Sequence, residues 1–163
     1  MTTACDHHHA HSQGLAGPGL ARELEGARDL CAARRQRLTQ SRERVLELLL
    51  AAGNPLKAYD LMTAFAPGDG PAKPPTVYRA LEFLTAQGLA HRIESLNAYV
   101  ACRRKGGHSA AFLICDCCGW AREFDPGDDA AVTGEARRDG FVLTAVMLEA
   151  HGRCAECHGA AAA

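Results

Sequence analysis

The chain has 163 residues, 47% of them hydrophobic, and a formal net charge of -1 at pH 7. This length fits one ordinary domain or two small ones with packed cores, and the near-neutral charge excludes a general nucleic-acid binder held by overall charge. No apolar run follows a basic N-terminus, and the most apolar stretch, residues 45–52, is too short to cross a bilayer. We therefore expect a cytoplasmic protein without a membrane partner.

Charge is divided unevenly along the chain. Residues 1–105 carry 14 Lys and Arg against 10 Asp and Glu, whereas residues 106–163 carry 4 against 9. Basic residues cluster at 33–37, at Arg42 and Arg44, and at 103–105. This distribution is typical of a DNA-facing half joined to a half with another role, although a solvated surface explains any single cluster equally well.

The first 17 residues are polar, glycine-rich and without periodicity, so we expect residues 1–17 to form a disordered tail. Residues 159–163 are expected to form another. The N-terminal tail is open to two interpretations, because its side chains either hold a metal loosely or belong to a flexible, tag-like extension. Its potential ligands are Cys5, His7, His8, His9 and His11.

Four helices are predicted in the first half of the chain. In the second helix we expect Thr39 to cap the start and Gly53 to end it. The periodic apolar side of that helix contains Val45, Leu48, Leu49 and Ala52. Helical periodicity indicates residues 18–35, 38–53, 58–66 and 75–88.

The fourth predicted helix has two distinct faces. Val77, Leu81 and Leu84 share one face at 100° per residue, whereas Tyr78 and Arg79 lie on the other. Pro75 suits the first turn of this helix, because its missing amide hydrogen is not needed there.

Two short strands are predicted after this helix, at 89–95 and 97–102, around a tight turn. Three helices followed by a hairpin are the outline of a winged helix-turn-helix. In such a module the recognition helix enters the major groove, and an arginine near its start, here Arg79, can pair with guanine. The alternative is a small helical domain without a DNA-binding function, which the helical pattern alone leaves open.

The second half of the chain is predicted to form a small α+β domain. Strands are expected at 111–116, 120–125 and 141–152, with a helix at 126–140. A core of this size needs a covalent or metal link, or a partner chain, to be stable.

Two C-x-x-C pairs in this half predict a structural metal site. Reducing conditions in the cytosol favour metal ligands over disulfides for such pairs. Cys115 and Cys118, with Cys154 and Cys157, offer the four soft ligands of a tetrahedral zinc site. The 35 residues between the pairs mean that the metal would join the start of the domain to its end. Cys117 is surplus and is expected to point elsewhere.

A dithiol oxidoreductase is the alternative from a different functional class. Its C-x-x-C motif belongs at the start of a helix in a βαβ unit, whereas these pairs stand at strand ends. We assign Cys31 to helix packing, and His151 either to the surface or to a role in support of the zinc site. No nucleophile triad, phosphate loop or carboxylate pair can be defended, so we expect neither an enzyme nor a small organic substrate.

The segment KPPTVYRALEFLTAQGLAHRIESLNAYVAC at 73–102, followed by HSAAFLICDCCG and EAHGRCAEC, resembles the ferric uptake regulator family and its zinc uptake regulator branch. The likeness runs from about residue 20 to residue 158. It implies an α+β protein with a winged helix-turn-helix domain at 18–103. A dimerisation domain at 104–158, with a zinc-clipped three-stranded sheet, would follow.

The resemblance also implies one structural and one regulatory Zn²⁺ per subunit. Spacing alone would not identify the regulatory ligands, because a lone His or Glu usually lies on the surface. Two imidazoles, a thiolate and a carboxylate nevertheless suit tetrahedral zinc, whereas a site for Fe(II) or Mn(II) would more naturally avoid the thiolate. The structural ligands are Cys115, Cys118, Cys154 and Cys157, and the regulatory ligands are His91, Cys102, His108 and Glu123.

By the same resemblance, the chain is expected to be a zinc-responsive transcriptional repressor of zinc uptake genes that binds double-stranded operator DNA as a homodimer. The DNA contacts fall on Tyr59 and Arg79, and we include Lys73, Thr76 and Tyr78 as further candidates. Within the same fold, the alternative is a sensor of iron, manganese or peroxide.

Overall fold

The computed structural model describes residues 14–65, 73–104, 110–127, 130–144 and 146–160. These residues fall into two compact units, one within residues 10–106 and one within residues 107–163. In the part of the chain that is described, no helix is both long and apolar enough to cross a membrane.

The first unit contains four helices followed by an antiparallel hairpin, in the order that the sequence predicts. Leu56 and Tyr99 exchange backbone hydrogen bonds of 2.9 and 2.8 Å, which fasten the hairpin to the segment between the second and third helices. The elements are α1 (Gly17–Ala33), α2 (Gln40–Ala52), α3 (Ala58–Phe65), α4 (Pro74–Ala86), β1 (Ala90–Ile93) and β2 (Ala98–Ala101).

The core of the first unit is built from the apolar faces of its helices. The three residues predicted to face inward from α4, Val77, Leu81 and Leu84, are almost completely buried. Val45 and Leu49 of α2 are buried with them. Each such side chain stabilises the fold by about 1.5–3 kcal/mol relative to an exposed one. This one-sided burial leaves the opposite face of α4 in solvent.

The two ends of α2 differ from each other in how they are capped. Gly53 ends the helix with a positive φ of 64°, and its amide donates to the Leu49 carbonyl at 3.3 Å, as predicted. Thr39 occupies the N-cap position, but its side chain makes no capping hydrogen bond. Thr39 is therefore the N-cap residue, as predicted, but its backbone carbonyl rather than its side chain takes part, accepting from the Glu43 amide at 2.9 Å.

Residues 14–17, which were placed in the predicted tail, are part of the first unit. The Leu15 amide donates to the Leu50 carbonyl at 2.9 Å, and the Leu15 side chain packs against the core. The backbone at Gly14 passes so close to Ala51 that a Cβ would lie 1.9 Å from its carbonyl oxygen. The apolar side chain of Leu15 and this close approach fix residues 14–17 against the core. The remainder of the predicted tail, residues 1–13, lies outside the described residues.

The second unit contains a three-stranded sheet in the order β4-β3-β5 and two short helices. β3 pairs antiparallel with β4 and parallel with β5. Parallel pairing brings the carboxyl ends of β3 and β5 to one edge, where Cys115 lies opposite Gly152. The elements are β3 (Ala110–Cys115), β4 (Ala121–Phe124), α5 (Ala130–Arg138), β5 (Met147–Gly152) and α6 (Ala155–Ala160).

The last strand is shorter than the predicted span of 141–152. Phe141 and Val142 are residue types that favour strands, but they are 68% and 84% exposed and do not pair with β3. The first residue of β3, Ala110, pairs with Met147, so β3 has no residue left to pair with the segment before Met147. The predicted helix at 126–140 is likewise shorter, and α6 was not predicted, since six residues are too few to show helical periodicity. The predicted α+β class, with a helical first half and a small sheet in the second, is confirmed.

Candidate metal centres and nucleic-acid interface

Four cysteine sulfurs converge at the edge of the second unit where β3 and β5 end. Cys115 is the last residue of β3 and Cys118 follows it in a turn, whereas Cys154 follows β5 and Cys157 lies in the first turn of α6. All four sulfurs lie within 4.8 Å of one another. The parallel register of β3 and β5 therefore brings together two pairs that are far apart in sequence.

The spacing of the sulfurs fits a tetrahedral zinc ion. Zinc–sulfur bonds of about 2.3 Å in a tetrahedron place neighbouring sulfurs about 3.8 Å apart. The Cys118 and Cys154 sulfurs, one from each pair, are 3.9 Å apart. Four protein ligands complete the coordination and leave no position for a substrate, which is typical of a structural site.

The turn that carries Cys118 is shaped by a glycine. Gly119 has a φ of 72°, a left-handed conformation that other residues rarely adopt, and its amide donates to the Cys115 carbonyl at 2.9 Å. The Cys115 amide donates to the Trp120 carbonyl at 2.8 Å, which closes the turn onto the start of β4. The sequence C-x-x-C-G thus folds both thiols toward the same side of the turn.

Backbone amides favour the thiolate form of Cys115. Burial raises the pKa of this thiol, but hydrogen bonds from the amides of Cys118, Cys154 and Cys117 outweigh burial and lower the pKa from 9.0 to about 6. The Cys154 amide, for example, lies 3.3 Å from the Cys115 sulfur. Burial raises the pKa of both Cys118 and Cys157. The thiolate of Cys115 is therefore favoured at neutral pH, whereas zinc must displace protons from Cys118 and Cys157.

The other cysteines of the described residues lie outside this quartet. Cys117 is half-buried in the turn between two ligands but does not join the four sulfurs. Cys31 is buried on α1, which agrees with its assignment to helix packing. Sequence reasoning did not single out Asp116, whose contact with His151 depends on the register of β3 and β5 and has no local sequence signal.

Two residues of the predicted regulatory set lie together on the hairpin of the first unit. His91 is on β1, and Cys102 follows β2, with a ring nitrogen and the sulfur within 4.8 Å of each other. The Cys102 amide donates to the Leu89 carbonyl at 3.0 Å, which holds this residue beside the start of β1. Glu123 is half-buried on β4 of the second unit, and His108 lies outside the described residues.

The outward face of α4 carries the predicted DNA contacts. Arg79 and Lys73 are exposed, Tyr78 is 52% exposed, and Thr76 is half-buried, while Tyr59 on α3 is 75% exposed. The helix begins with two prolines, Pro74 and Pro75, and the amide of Thr76 donates to the Lys73 carbonyl at 2.9 Å. An exposed arginine on the outer face of the third helix of a winged helix-turn-helix is suited to reading a base edge.

Several arginines of the predicted basic clusters are used inside the first unit. Arg42 lies over the Phe83 ring, with 3.5 Å between the guanidinium carbon and the ring centroid. Arg44 donates to the Phe65 carbonyl at 3.3 Å, and Arg34 donates to a backbone carbonyl just after α4 at 2.7 Å. At these three positions the guanidinium group links one helical segment of the first unit to another.

The chain is similar to known regulators over most of its length. The zinc uptake regulation protein of Escherichia coli K12 is 42% identical over 137 residues, which cover 82% of this chain and 80% of that protein. A zinc uptake regulator complexed with zinc and DNA matches with a TM-score of 0.85 and 39% identity, covering 90% of this chain and 100% of the other. Holo XcZur matches with a TM-score of 0.73 and 42% identity, covering 83% and 96%.

A family-level comparison gives the same result. Residues 33–151 match the sequence profile of the ferric uptake regulator family, a span that contains the helices α2 to α5, the hairpin, β3, β4 and all of β5 except its last residue. The family and the relatives are regulators, which confirms the prediction that the chain is not an enzyme. The chain therefore belongs to the ferric uptake regulator family.

Proposed function

We propose that the chain is a zinc-responsive repressor of zinc uptake genes, which binds operator DNA in the cytoplasm as a homodimer. The observation that carries this proposal is the 42% identity, over 82% of the chain, to a protein named as a regulator of zinc uptake. A similar solved structure of a zinc uptake regulator holds both zinc and DNA. The exposed Arg79 and the four converging sulfurs are the features of this chain that such a role requires.

Each subunit is proposed to hold one structural zinc in the cysteine quartet. Bound zinc supplies a fixed tetrahedral junction for four thiolates. Cys115 and Cys118 would hold it from the end of β3, and Cys154 and Cys157 from the end of β5 and the start of α6. A closed set of four thiolates holds its ion tightly and leaves no open position, so this site is not proposed as the one that senses zinc.

A second, regulatory zinc is proposed to bind His91, Cys102, His108 and Glu123. The proposal is supported by the proximity of the His91 nitrogen and the Cys102 sulfur on the hairpin. Because this hairpin directly follows α4, a metal bound to it constrains the element next to the recognition helix. A coupling of about 1–3 kcal/mol between zinc and operator is enough for regulation, and operator DNA must then tighten zinc binding by the same factor.

The homodimer is proposed to form through the second unit. In the sheet order β4-β3-β5, the outer side of β5 has no neighbouring strand among the described residues. Met147 and Leu148 on this strand are 43% and 47% exposed, and Phe141 just before it is 68% exposed. An apolar strand at a sheet edge is a surface that natural proteins cover, and a second copy of the chain would cover it symmetrically.

The DNA contacts are proposed to come from α4 and its surroundings. Arg79 would read a base edge in the major groove, and Tyr59 and Tyr78 would contact the DNA beside it. Lys73 and Thr76, at the start of α4, are the candidates for contacts to phosphate oxygens.

A sensor of iron, manganese or peroxide is the alternative within the same fold. The thiolate of Cys102 argues against it, because Fe(II) and Mn(II) sites are more naturally built from nitrogen and oxygen ligands. Operator binding should therefore be activated by Zn²⁺ at lower free concentrations than by Mn²⁺ or Fe²⁺. Activation by Mn²⁺ or Fe²⁺ at equal or lower concentrations would support the alternative.

The central test replaces Cys102 with serine and measures operator binding against buffered free zinc. Cys102→Ser should remain a folded dimer with one zinc per subunit in the cysteine quartet, yet lose the zinc dependence of operator binding. The matched control is Cys31→Ala, which removes a buried thiol on α1 outside both ligand sets and should respond to zinc as the unmodified protein does. If Cys102→Ser kept the normal zinc response, the regulatory assignment would be wrong.

A further inference from the structure

A hydrogen bond between the side chains of His151 and Asp116 links the two C-x-x-C pairs of the cysteine quartet without involving a sulfur atom. His151 Nδ1 lies 2.8 Å from Asp116 Oδ1. An ionised carboxylate can only accept hydrogen bonds, so Nδ1 carries the hydrogen and donates it. Asp116 lies between Cys115 and Cys118 in the first pair, and His151 precedes Cys154 by three residues on β5. The bond therefore joins the turn of one pair to the strand that leads to the other.

Asp116 is bound to β5 through its backbone as well. Its amide donates to the Gly152 carbonyl at 2.8 Å. The regular pairing of β3 with β5 ends at Cys115 and Gly152, so the two bonds of Asp116 continue the connection past the last paired residues. His151 Nε2 is 3.9 Å from Glu149 Oε2, which is too long for a hydrogen bond. Of these two carboxylates, it is therefore Asp116 to which the His151 ring is hydrogen-bonded.

We propose that His151 is a positioning residue for the structural zinc, which slows zinc loss by holding Asp116 and its turn against β5. The inference rests on the proposed function, which assigns zinc to the quartet. An ion held by four sulfurs leaves only after sulfurs detach in succession. Each detached thiolate rebinds at once if the two pairs stay in place, so a contact that prevents their separation lowers the rate of release.

The effect belongs to the release rate rather than to overall stability. The side chains of His151 and Asp116 are 38% and 54% exposed, and an exposed pair of this kind adds little to the stability of the whole fold. Local separation of the pairs, in contrast, must break this bond directly. Its removal should accelerate zinc release about three- to tenfold, the factor that corresponds to one net hydrogen bond.

The experiment follows Zn²⁺ release from the zinc-loaded full chain after addition of excess chelator, with a chromogenic zinc indicator. All variants carry Cys102→Ser, so that the released ion comes from the cysteine quartet. His151→Leu and Asp116→Ala remove the bond, and His151→Asn keeps a donor near the position of Nδ1. The matched control is His158→Leu, which removes another exposed histidine beside the quartet, on α6.

His151→Leu and Asp116→Ala should each accelerate release about three- to tenfold, and their combination should be no faster than the faster single variant. His151→Asn should release zinc nearly as slowly as the parent, and His158→Leu should match it. Release from His151→Leu at the parent rate, or a combined effect equal to the product of the single effects, would overturn the proposal. The proposed function is tested separately, by measuring zinc-dependent operator binding of a variant that carries His151→Leu alone. A parent protein without zinc in the quartet would contradict the proposed function itself.

Discussion

Replacing Cys157 with serine should unfold the second unit and leave the first unit folded. The second unit has a small core, in which Phe112 and Ile114 are the large aliphatic or aromatic side chains buried among the described residues. At about 1.5–3 kcal/mol each, these two side chains contribute about 3–6 kcal/mol. A structural zinc binds with roughly 10–16 kcal/mol, so the metal outweighs this core. Removing one of four sulfurs should therefore remove the main source of stability.

The first unit should be unaffected, because its buried leucines and valines on α1, α2 and α4 form a core of their own. Hydrogen exchange with mass spectrometry measures both units at once, and elemental analysis gives the zinc content. In Cys157→Ser, amides of β3 and β5 should exchange rapidly while those of α2 and α4 keep their protection. Cys31→Ala, which removes a buried thiol of the first unit, is the control and should retain the zinc of the second unit. Protected β3 and β5 amides in zinc-free Cys157→Ser would refute the reasoning.

Four further predictions concern single groups. Arg79→Ala should lose about 1–3 kcal/mol of specific operator affinity with a smaller loss on random DNA, and equal losses in the two titrations would indicate a phosphate contact instead. Arg42→Ala should lower the free energy of unfolding of the first unit by about 0.5–1 kcal/mol through loss of the contact with Phe83, while the salt dependence of operator binding stays unchanged. Gly119→Ala should destabilise the zinc-bound second unit by about 1–2 kcal/mol in thermal unfolding, because an alanine is strained at a φ of 72° although no atom opposes its Cβ. The pKa of Cys115 is lowered from 9.0 to about 6, so the stability contributed by its thiolate is complete above pH 9.0 and is lost as the pH falls through about 6. Competition titrations with a chelator should accordingly show that zinc affinity falls more steeply per pH unit below pH 6 than between pH 7 and 8.

The helices of the first unit were predictable because their information is local. Val77, Leu81 and Leu84 recur at helical spacing, and all three are buried on one side of α4. Gly53 signals the end of α2 through its own backbone freedom. The cysteine quartet was also predictable, since each C-x-x-C pair has a recognisable spacing and four soft ligands suffice for one zinc.

The features that were not predictable depend on pairing between distant segments. Phe141 and Val142 have strand-forming side chains, but only the register with β3 decides that the strand starts at Met147. The contact of His151 with Asp116 follows from that same register. Likewise, nothing in the sequence around Arg42 shows that its guanidinium lies over Phe83, because the two residues are brought together by the packing of α2 against α4.

Pro74 and Pro75 remove from the start of α4 the amide hydrogens that many helices offer to phosphate groups. The next amide, that of Thr76, is already bonded to the Lys73 carbonyl. Contacts through amides are the same on every stretch of a genome, so they strengthen adhesion without improving discrimination. A helix that lacks them gains less on incorrect sequences and must obtain its affinity from side chains, among which Arg79 is proposed to read a base edge. On the proposed function, the two prolines would shorten the time that the protein spends on the many incorrect sites it meets before it reaches its operator.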